Sequence, residues 1–382
     1  TESGATADFS LTNSPVAIES VTIVGSRFRP RTQITSAVPI DNLQARELIS
    51  TGQVSLDHML AYKVPSYNVS QQTISDATAH FDPAELRGLG PSRTLVLING
   101  KRRHASSLVY INDTPGKGEV GVDMRSIPTA AIERVEVLRD GASAQYGSDA
   151  IAGVVNIIMK EETDYTEINL SAGQTAGGHR NAGDGDNKSV DINHGMNLGE
   201  KGYLSVTASY HDQDETRRTG EPGGDGLFGF LYDIGAIPIQ AAGGFEATPG
   251  VVATGAQIRS GDTDWQRENP DLGTRIGTPN MTTADVFLNG SYDLNEQTEL
   301  YAFTGFTQRE GLSYALYRAP YWPGVSDCCG LIPGASANGF QPTFETDITD
   351  NSFTAGVRGR KMDWDFDASL SSGRNTVDYT VD

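Results

Sequence analysis

At 382 residues the chain exceeds one ordinary domain, and two are expected. Its net charge of −20 argues against a nucleic-acid binder, which needs a basic face. A hydrophobic content of 37%, with no run of about 18 uncharged apolar residues, excludes a helical membrane protein.

In chain order, the first 17 residues are polar, and TESGATADFS has neither the basic start nor the apolar core of a signal peptide. IESVTIVGSRF (18–28) then sets the β-branched run Val21, Thr22, Ile23 and Val24 ahead of Gly25 and the basic Arg27, Arg29 and Arg31. Such a run predicts a short extended segment. Within residues 36–160, the stretch VSLDHMLA (54–61) spaces Leu56, Met59 and Leu60 along one side of a short helix. Residues 94–98 read as a strand entering a tight turn at Asn99-Gly100. Pro128 opens a short helix expected over 129–133, and 135–138 read as a strand. In VEVLRDGASAQYGSDAIAGVVNIIMK (135–160), two apolar runs flank a middle of small residues: Gly141, Ala142, Ser143, Ala144, Gly147, Ala150, Ala152 and Gly153. Small side chains there let backbone segments approach closely. The whole reads as a compact α+β unit.

From residue 165 the period is two. In DWDFDASLS (363–371), Trp364, Phe366, Ala368 and Leu370 take one face, and Asp363, Asp365, Asp367, Ser369 and Ser371 the other. Ile168, Leu170 and Ala172 alternate likewise, as do Leu204, Val206, Ala208 and Tyr210, and Val286, Leu288 and Tyr292. Residues 298–317 are strand-like but less regular. About seven strands of roughly ten residues each are expected. Short links (198–203, 293–300, 359–364) alternate with long ones (173–188, about 212–282, about 318–350). A soluble sandwich has no reason for that alternation, whereas a membrane barrel has short turns on one side and long loops on the other. Tyr203, Tyr210, Tyr292, Tyr301, Tyr321, Trp322 and Trp364 fall near strand ends, where interfacial aromatics belong. Seven strands do not close an even-numbered barrel, so the chain reads as the front part of a larger protein.

The two cysteines, Cys328 and Cys329, are adjacent. A bridge between them would be strained, because neighbouring Cα atoms lie about 3.8 Å apart; a loop-stabilising disulfide and free thiols both stay open. None of the six histidines sits in HExxH or beside a paired cysteine, and G-x-S-x-G and a phosphate loop are absent. No catalytic set, metal site or cofactor is expected.

LRGLGPSRTLVLINGKRR (86–103) and IPTAAIERVEVLRDGASAQYGSDAIAGVVNIIMK (127–160) closely resemble the plug of TonB-dependent outer-membrane receptors. The resemblance implies an antiparallel transmembrane β-barrel of twenty-two strands in the full protein, with an N-terminal α+β plug inside a lumen that would otherwise stand open. It divides the chain into a segment with a TonB box (1–35), a plug (36–160) and an incomplete barrel (161–382). Val21, Thr22, Ile23 and Val24 would be the TonB box, adding a strand to a sheet edge of TonB. Arg87 and Arg139 match plug arginines that pair with barrel glutamates, whose positions would lie beyond residue 382. Plug loops between the motifs offer His80, Phe81, Ser92, His104, Tyr110 and Asn112 as substrate contacts. The implied function is proton-motive-force-driven import of a small-molecule nutrient across the outer membrane of a Gram-negative bacterium, with a ferric siderophore or similar chelate as the commonest cargo. Lipid and lipopolysaccharide would surround it. The alternatives are uptake of an oligosaccharide or peptide, and a passive porin-like channel or structural barrel fragment.

Overall fold

The computed structural model describes residues 21–22, 31–32, 40–69, 76–110, 116–175, 184–217, 277–315 and 341–381. Ile23, Val24, Asn112, Cys328 and Cys329 lie outside them. At the N-terminus β1 (Val21–Thr22) pairs antiparallel with β2 (Arg31–Thr32).

The first unit is built on a five-stranded sheet in the order β3-β8-β9-β6-β7. Its chain order is β3 (Ile40–Gln44), α1 (Ala45–Ile49), α2 (Leu56–Lys63), the short pair β4 (Tyr67–Asn68) and β5 (Glu85–Leu86), β6 (Thr94–Ile98), β7 (Lys101–Arg102), β8 (Ile132–Leu138), α3 (Ser143–Tyr146) and β9 (Gly153–Met159). The central strands β6 and β9 run parallel and every residue in both is buried. Continuous apolar runs such as TLVLI fit a strand covered on both faces. On one face α2 lays Leu56, Met59 and Leu60, with Leu48 of α1, onto Val96, Ile98, Val135, Val137, Val155 and Ile157. On the other, Leu95, Leu97, Leu138 and Val154 meet Ala142, Ala150 and Tyr146.

Asn99 and Gly100 both have positive φ, 48° and 76°, as a two-residue hairpin turn demands. The close approach expected of the small-residue stretch falls on Gly153. With φ +155°, a Cβ there would strike the Leu138 carbonyl oxygen and come within 2.7 Å of Leu86 Cδ1. The helix expected over 129–133 is instead a single 3-10 turn, Thr129–Ala131, and β8 begins at Ile132. Ile132 pairs with Met159 and is fully buried, so sheet pairing outweighs the proline's helix-starting signal.

The second unit is one antiparallel sheet of seven strands in sequence order: β10 (Tyr165–Thr175), β11 (Asp184–Asn197), β12 (Gly202–Gln213), β13 (Asn280–Asn295), β14 (Thr298–Tyr314), β15 (Thr343–Lys361) and β16 (Trp364–Val381). The number matches the periodicity, but the strands run from 11 to 19 residues. A crossing needs about 9–11 tilted residues, so the longest strands extend well past it. Links alternate short and long as expected: 198–201, 296–297 and 362–363 against 176–183, 214–279 and 315–342.

One face of this sheet covers the first unit. Phe287, Tyr301 and Phe303 are part of its main core, while Ile348 and Val377 pack on Phe81 and Leu108. The opposite face carries Ile168, Leu170, Val190, Val286, Phe306, Phe353 and Leu370, all exposed. A row of large apolar side chains facing outward from a sheet whose other face is covered is what lipid requires. Tyr203 and Tyr301 depart from the girdle expectation, since both turn inward: Tyr203 OH accepts from Asn289, and Tyr301 OH donates to Asp367. Phe306→Arg is expected to cost ~2–4 kcal/mol by placing a guanidinium in hydrocarbon. Loss of the folded, heat-modifiable species on gels would report it, and undiminished folding would place this face out of lipid.

Candidate functional site

The site is the interface between the plug-like unit and the wall. β14 alternates strictly, so Tyr301, Phe303, Gly305, Thr307, Arg309, Gly311 and Ser313 point inward and are buried. The Arg309 side chain is 0% exposed. Its Nη1 donates to Asp123 Oδ2 at 2.8 Å and to the His80 carbonyl at 2.9 Å, and Nη2 lies 3.4 Å from Ser126 Oγ. Asp123 is already shaped to receive it. It caps the turn Met124–Ser126, accepting from Arg125 N at 3.1 Å and Ser126 Oγ at 2.7 Å. A guanidinium with carboxylate and carbonyl partners is the arrangement that makes a buried cation tolerable.

A second tie comes from the strand period of NGKRRH (99–104). Lys101 and Arg103 share a face and reach the wall, while Arg102 turns back to Asp149 and the Tyr146 carbonyl. Arg103 pairs with Asp350 of β15, both nearly fully buried. Asp350 also meets His104 Nε2 at 2.9 Å and accepts from Asn375 Nδ2 at 2.9 Å. Asn375 Oδ1 in turn accepts from Ser107 N and Oγ at 2.9 and 2.8 Å. Lys101 Nζ donates to Asp367 at 2.8 Å, with the Tyr301 ring 5.6 Å from the ammonium. Near the short-link end, Asn289 accepts from Asn99 at 3.2 Å and donates to the Lys160 carbonyl at 3.0 Å.

The structure brings three of the expected substrate residues to this interface. His80 is wholly buried, with Nδ1 2.7 Å from Thr346 Oγ1. Its ring lies flat on Gly311, where a Cβ would sit 2.8 Å from Cδ2. Phe81 is buried against Leu108 and Ile348, and His104 meets Asp350. Ser92 and Tyr110 lie elsewhere and share Glu119: Ser92 Oγ donates to its carboxylate at 2.8 Å, and Tyr110 N to its carbonyl at 3.0 Å. Arg87 and Arg139 lie side by side, Arg87 donating to the Arg139 carbonyl. Among the described residues their carboxylate partners are in the plug: Asp140 lies 3.7 Å from Arg87, and Asp41 2.6 Å from Arg139 Nε. Asp140 therefore serves Arg87 and not its own neighbour. Arg309, Asp350, Asp123 and Arg103 escaped the sequence reading. For Arg309 and Asp350 the available signal was a charge at an inward position of an alternating strand.

Burial, with the Arg125 and Arg309 charges beside it, pulls the His80 pKa down from 6.5 to about 3. A depressed pKa contributes stability that is whole above pH 6.5 and lost as the pH falls toward 3, because the unfolded chain takes up the proton first. Over that window the term amounts to about 5 kcal/mol. His80→Gln is thus expected to flatten the acid side of the stability profile relative to wild type. Denaturant midpoints between pH 7 and 4 measure this, and parallel profiles would show that His80 does not hold its ring neutral.

Residues 32–154 match the family model described as TonB-dependent Receptor Plug Domain. The ferric enterobactin receptor of Pseudomonas aeruginosa is 30% identical over 169 residues, covering 42% of this chain and 22% of that protein. The vitamin B12 transporter BtuB of Vibrio vulnificus is 32% identical over 161 residues, 41% of this chain and 24% of the other. Among solved structures, the ferric enterobactin receptor PfeA has the same fold, with a TM-score of 0.56 at 19% identity over 88% of this chain and 41% of that one. A variant of PfeA from Pseudomonas aeruginosa gives 0.54 at 19% identity, over 90% and 41%. The chain spans less than half the length of each of these proteins. Residues 32–154 thus match the plug domain of the TonB-dependent receptors, and that plug is seated on the inward face of a seven-stranded antiparallel sheet whose fold is shared with the ferric enterobactin receptor PfeA.

Proposed function

We propose that this chain is the plug and opening wall of an active importer in the outer membrane of a Gram-negative bacterium. Its cargo is a ferric siderophore or a similar metal chelate, taken up at the expense of the proton-motive force. The observation that carries the reading is the buried attachment of plug to wall through Arg309–Asp123 and Arg103–Asp350. A lumen filled and pinned in this way does not conduct passively, so passage needs an energised partner. The relatives support the cargo: several are named as ferric enterobactin or siderophore receptors, two as iron-regulated outer membrane virulence proteins and one as a vitamin B12 transporter.

In this reading cargo binds at the outer mouth, on the long links and on the plug loops that offer Ser92, His104 and Asn112, whereas the expected contacts His80, Phe81 and Tyr110 are buried and would meet cargo only after the plug moves. It moves the plug only through unequal affinity for the two plug states. TonB then captures Val21, Thr22, Ile23 and Val24 as an added strand. Val21 and Thr22 already have extended backbone, paired with Thr32 and Arg31, and would exchange that short pairing for TonB's sheet edge.

Removal of residues 18–24 tests this in cells expressing the intact receptor. Uptake of radiolabelled ferric enterobactin is expected to fall to background while binding at the cell surface persists. Uptake that continues unchanged in the deletion, or in cells treated with an uncoupler, would favour a passive channel. Induction by an oligosaccharide or peptide but not by iron starvation would move the cargo to that class.

A further inference from the structure

The plug holds a charge cluster that neither the wall nor the import reading uses. Asp57 and His58 stand in the first turn of α2, and Asp82 lies just before β5. One carboxylate oxygen of each aspartate and one ring nitrogen of His58 all lie within 4.8 Å of one another. Ser55 Oγ, 2.6 Å from His58 Nδ1, fixes the imidazole plane.

The charges around this cluster do not balance. Arg309 takes Asp123, and Arg125 takes Asp82. Asp57 is left over. Its side chain is 1% exposed, and neither oxygen has a hydrogen-bond partner. Its nearest ionisable neighbour is His58, whose Nδ1 lies 3.6 Å from Oδ2. The Tyr67 hydroxyl is also buried and unpartnered, and feels the charge of Asp57. Arg125 lies in the field of Asp57 but is paired with Asp82, and a buried carboxylate that accepts no hydrogen bond is costly, for which a cation is the direct remedy.

We infer that Asp57, His58 and Asp82 bind a first-row divalent cation of the Zn²⁺ type, tying α2 to the approach to β5. Two carboxylate oxygens and a neutral imidazole are a recognised donor set for such ions. Ligands on a tetrahedral ion sit about 3.3 Å apart, so donor atoms within 4.8 Å of one another close in by up to about 1.5 Å through side-chain rotation. An entry path exists. His58, Ser55 and Arg125 line a cavity of about 520 Å³ between plug and wall, whose other side carries Ser189, Asp191, Ser209 and His211. Arg125 opposes the ion from one side of Asp82, which favours a modest affinity over a zinc-finger-like one. Asp82 adjoins the expected cargo residues His80 and Phe81, but the site does not depend on which cargo is imported.

The test uses the intact receptor in detergent, free of any histidine tag, stripped with chelator and titrated with zinc chloride at neutral pH. Calorimetry and metal analysis after dialysis read the binding. Wild type is expected to retain zinc at a saturable site and to melt at a higher temperature with zinc than without. Asp57→Asn and His58→Gln are each expected to weaken that binding by roughly tenfold or more and to abolish the melting shift. His58 is partly exposed, so His58→Gln carries the test should Asp57→Asn fail to fold. No retained zinc, or zinc retained equally by wild type and His58→Gln, overturns the site.

Discussion

Arg309→Met is expected to weaken the plug's hold on the wall by about 3–5 kcal/mol. Methionine fills similar space, so packing is largely kept and the loss is electrostatic. Asp123 is left as a buried carboxylate, 2% exposed, without its guanidinium. The His80 carbonyl and Ser126 lose the same partner. Arg125 and Ser126 still bond Asp123, so the turn itself survives and the damage is confined to attachment. Hydrogen exchange of the intact receptor should show faster opening at residues 80–82 and 123–126, with β6 and β9 unchanged. Cells should become more sensitive to large hydrophilic antibiotics. Adding Asp123→Asn is expected to recover part of the loss, because removing both charges costs less than stranding one. Unchanged exchange in the single variant would mean that the plug is held from elsewhere.

The wall was legible wherever lipid lies on one side and water or polar atoms on the other. Trp364, Phe366, Ala368 and Leu370 alternate cleanly because the inward positions of β16 that meet the plug here are polar: Asp367 takes Lys101 and Asn375 takes Ser107. Residues 298–317 looked irregular for a physical reason. On β14 both faces are apolar: Leu300, Ala302 and Phe306 point outward, while Tyr301 and Phe303 point into the plug core. A rule of polar-in and apolar-out fails where a protein domain fills the lumen. The plug motifs placed its strands well, since buried apolar runs and an Asn-Gly turn are local signals. The ties were not legible, because they join residues far apart in the chain, such as Arg103 with Asp350, 247 positions on. Arg87 and Arg139 could be found by motif, but nothing local revealed that Asp140 would serve Arg87 and Asp41 would serve Arg139.

Asp350→Asn separates the second tie from the first. The substitution keeps shape and much of the hydrogen bonding to His104 and Asn375, but removes the charge that Arg103 needs. Arg103 is 3% exposed and also lies in the field of Asp123 and Asp285, too far to pair directly. A stranded buried guanidinium costs about 3–5 kcal/mol, the same order as at Arg309. The opening should appear at a different place: faster exchange over residues 101–108, with 80–82 and 123–126 still protected. The two sites share no direct partner, so in the double variant with Arg309→Met the losses should add to within about half a kcal/mol, less any coupling through Asp123. A plug released from both ties should leave the wall folded but leaky, readable as open-channel conductance in planar bilayers. If the double variant conducts no more than either single one, the described strands do not hold the plug, and its anchorage must lie on the part of the wall that would complete the barrel.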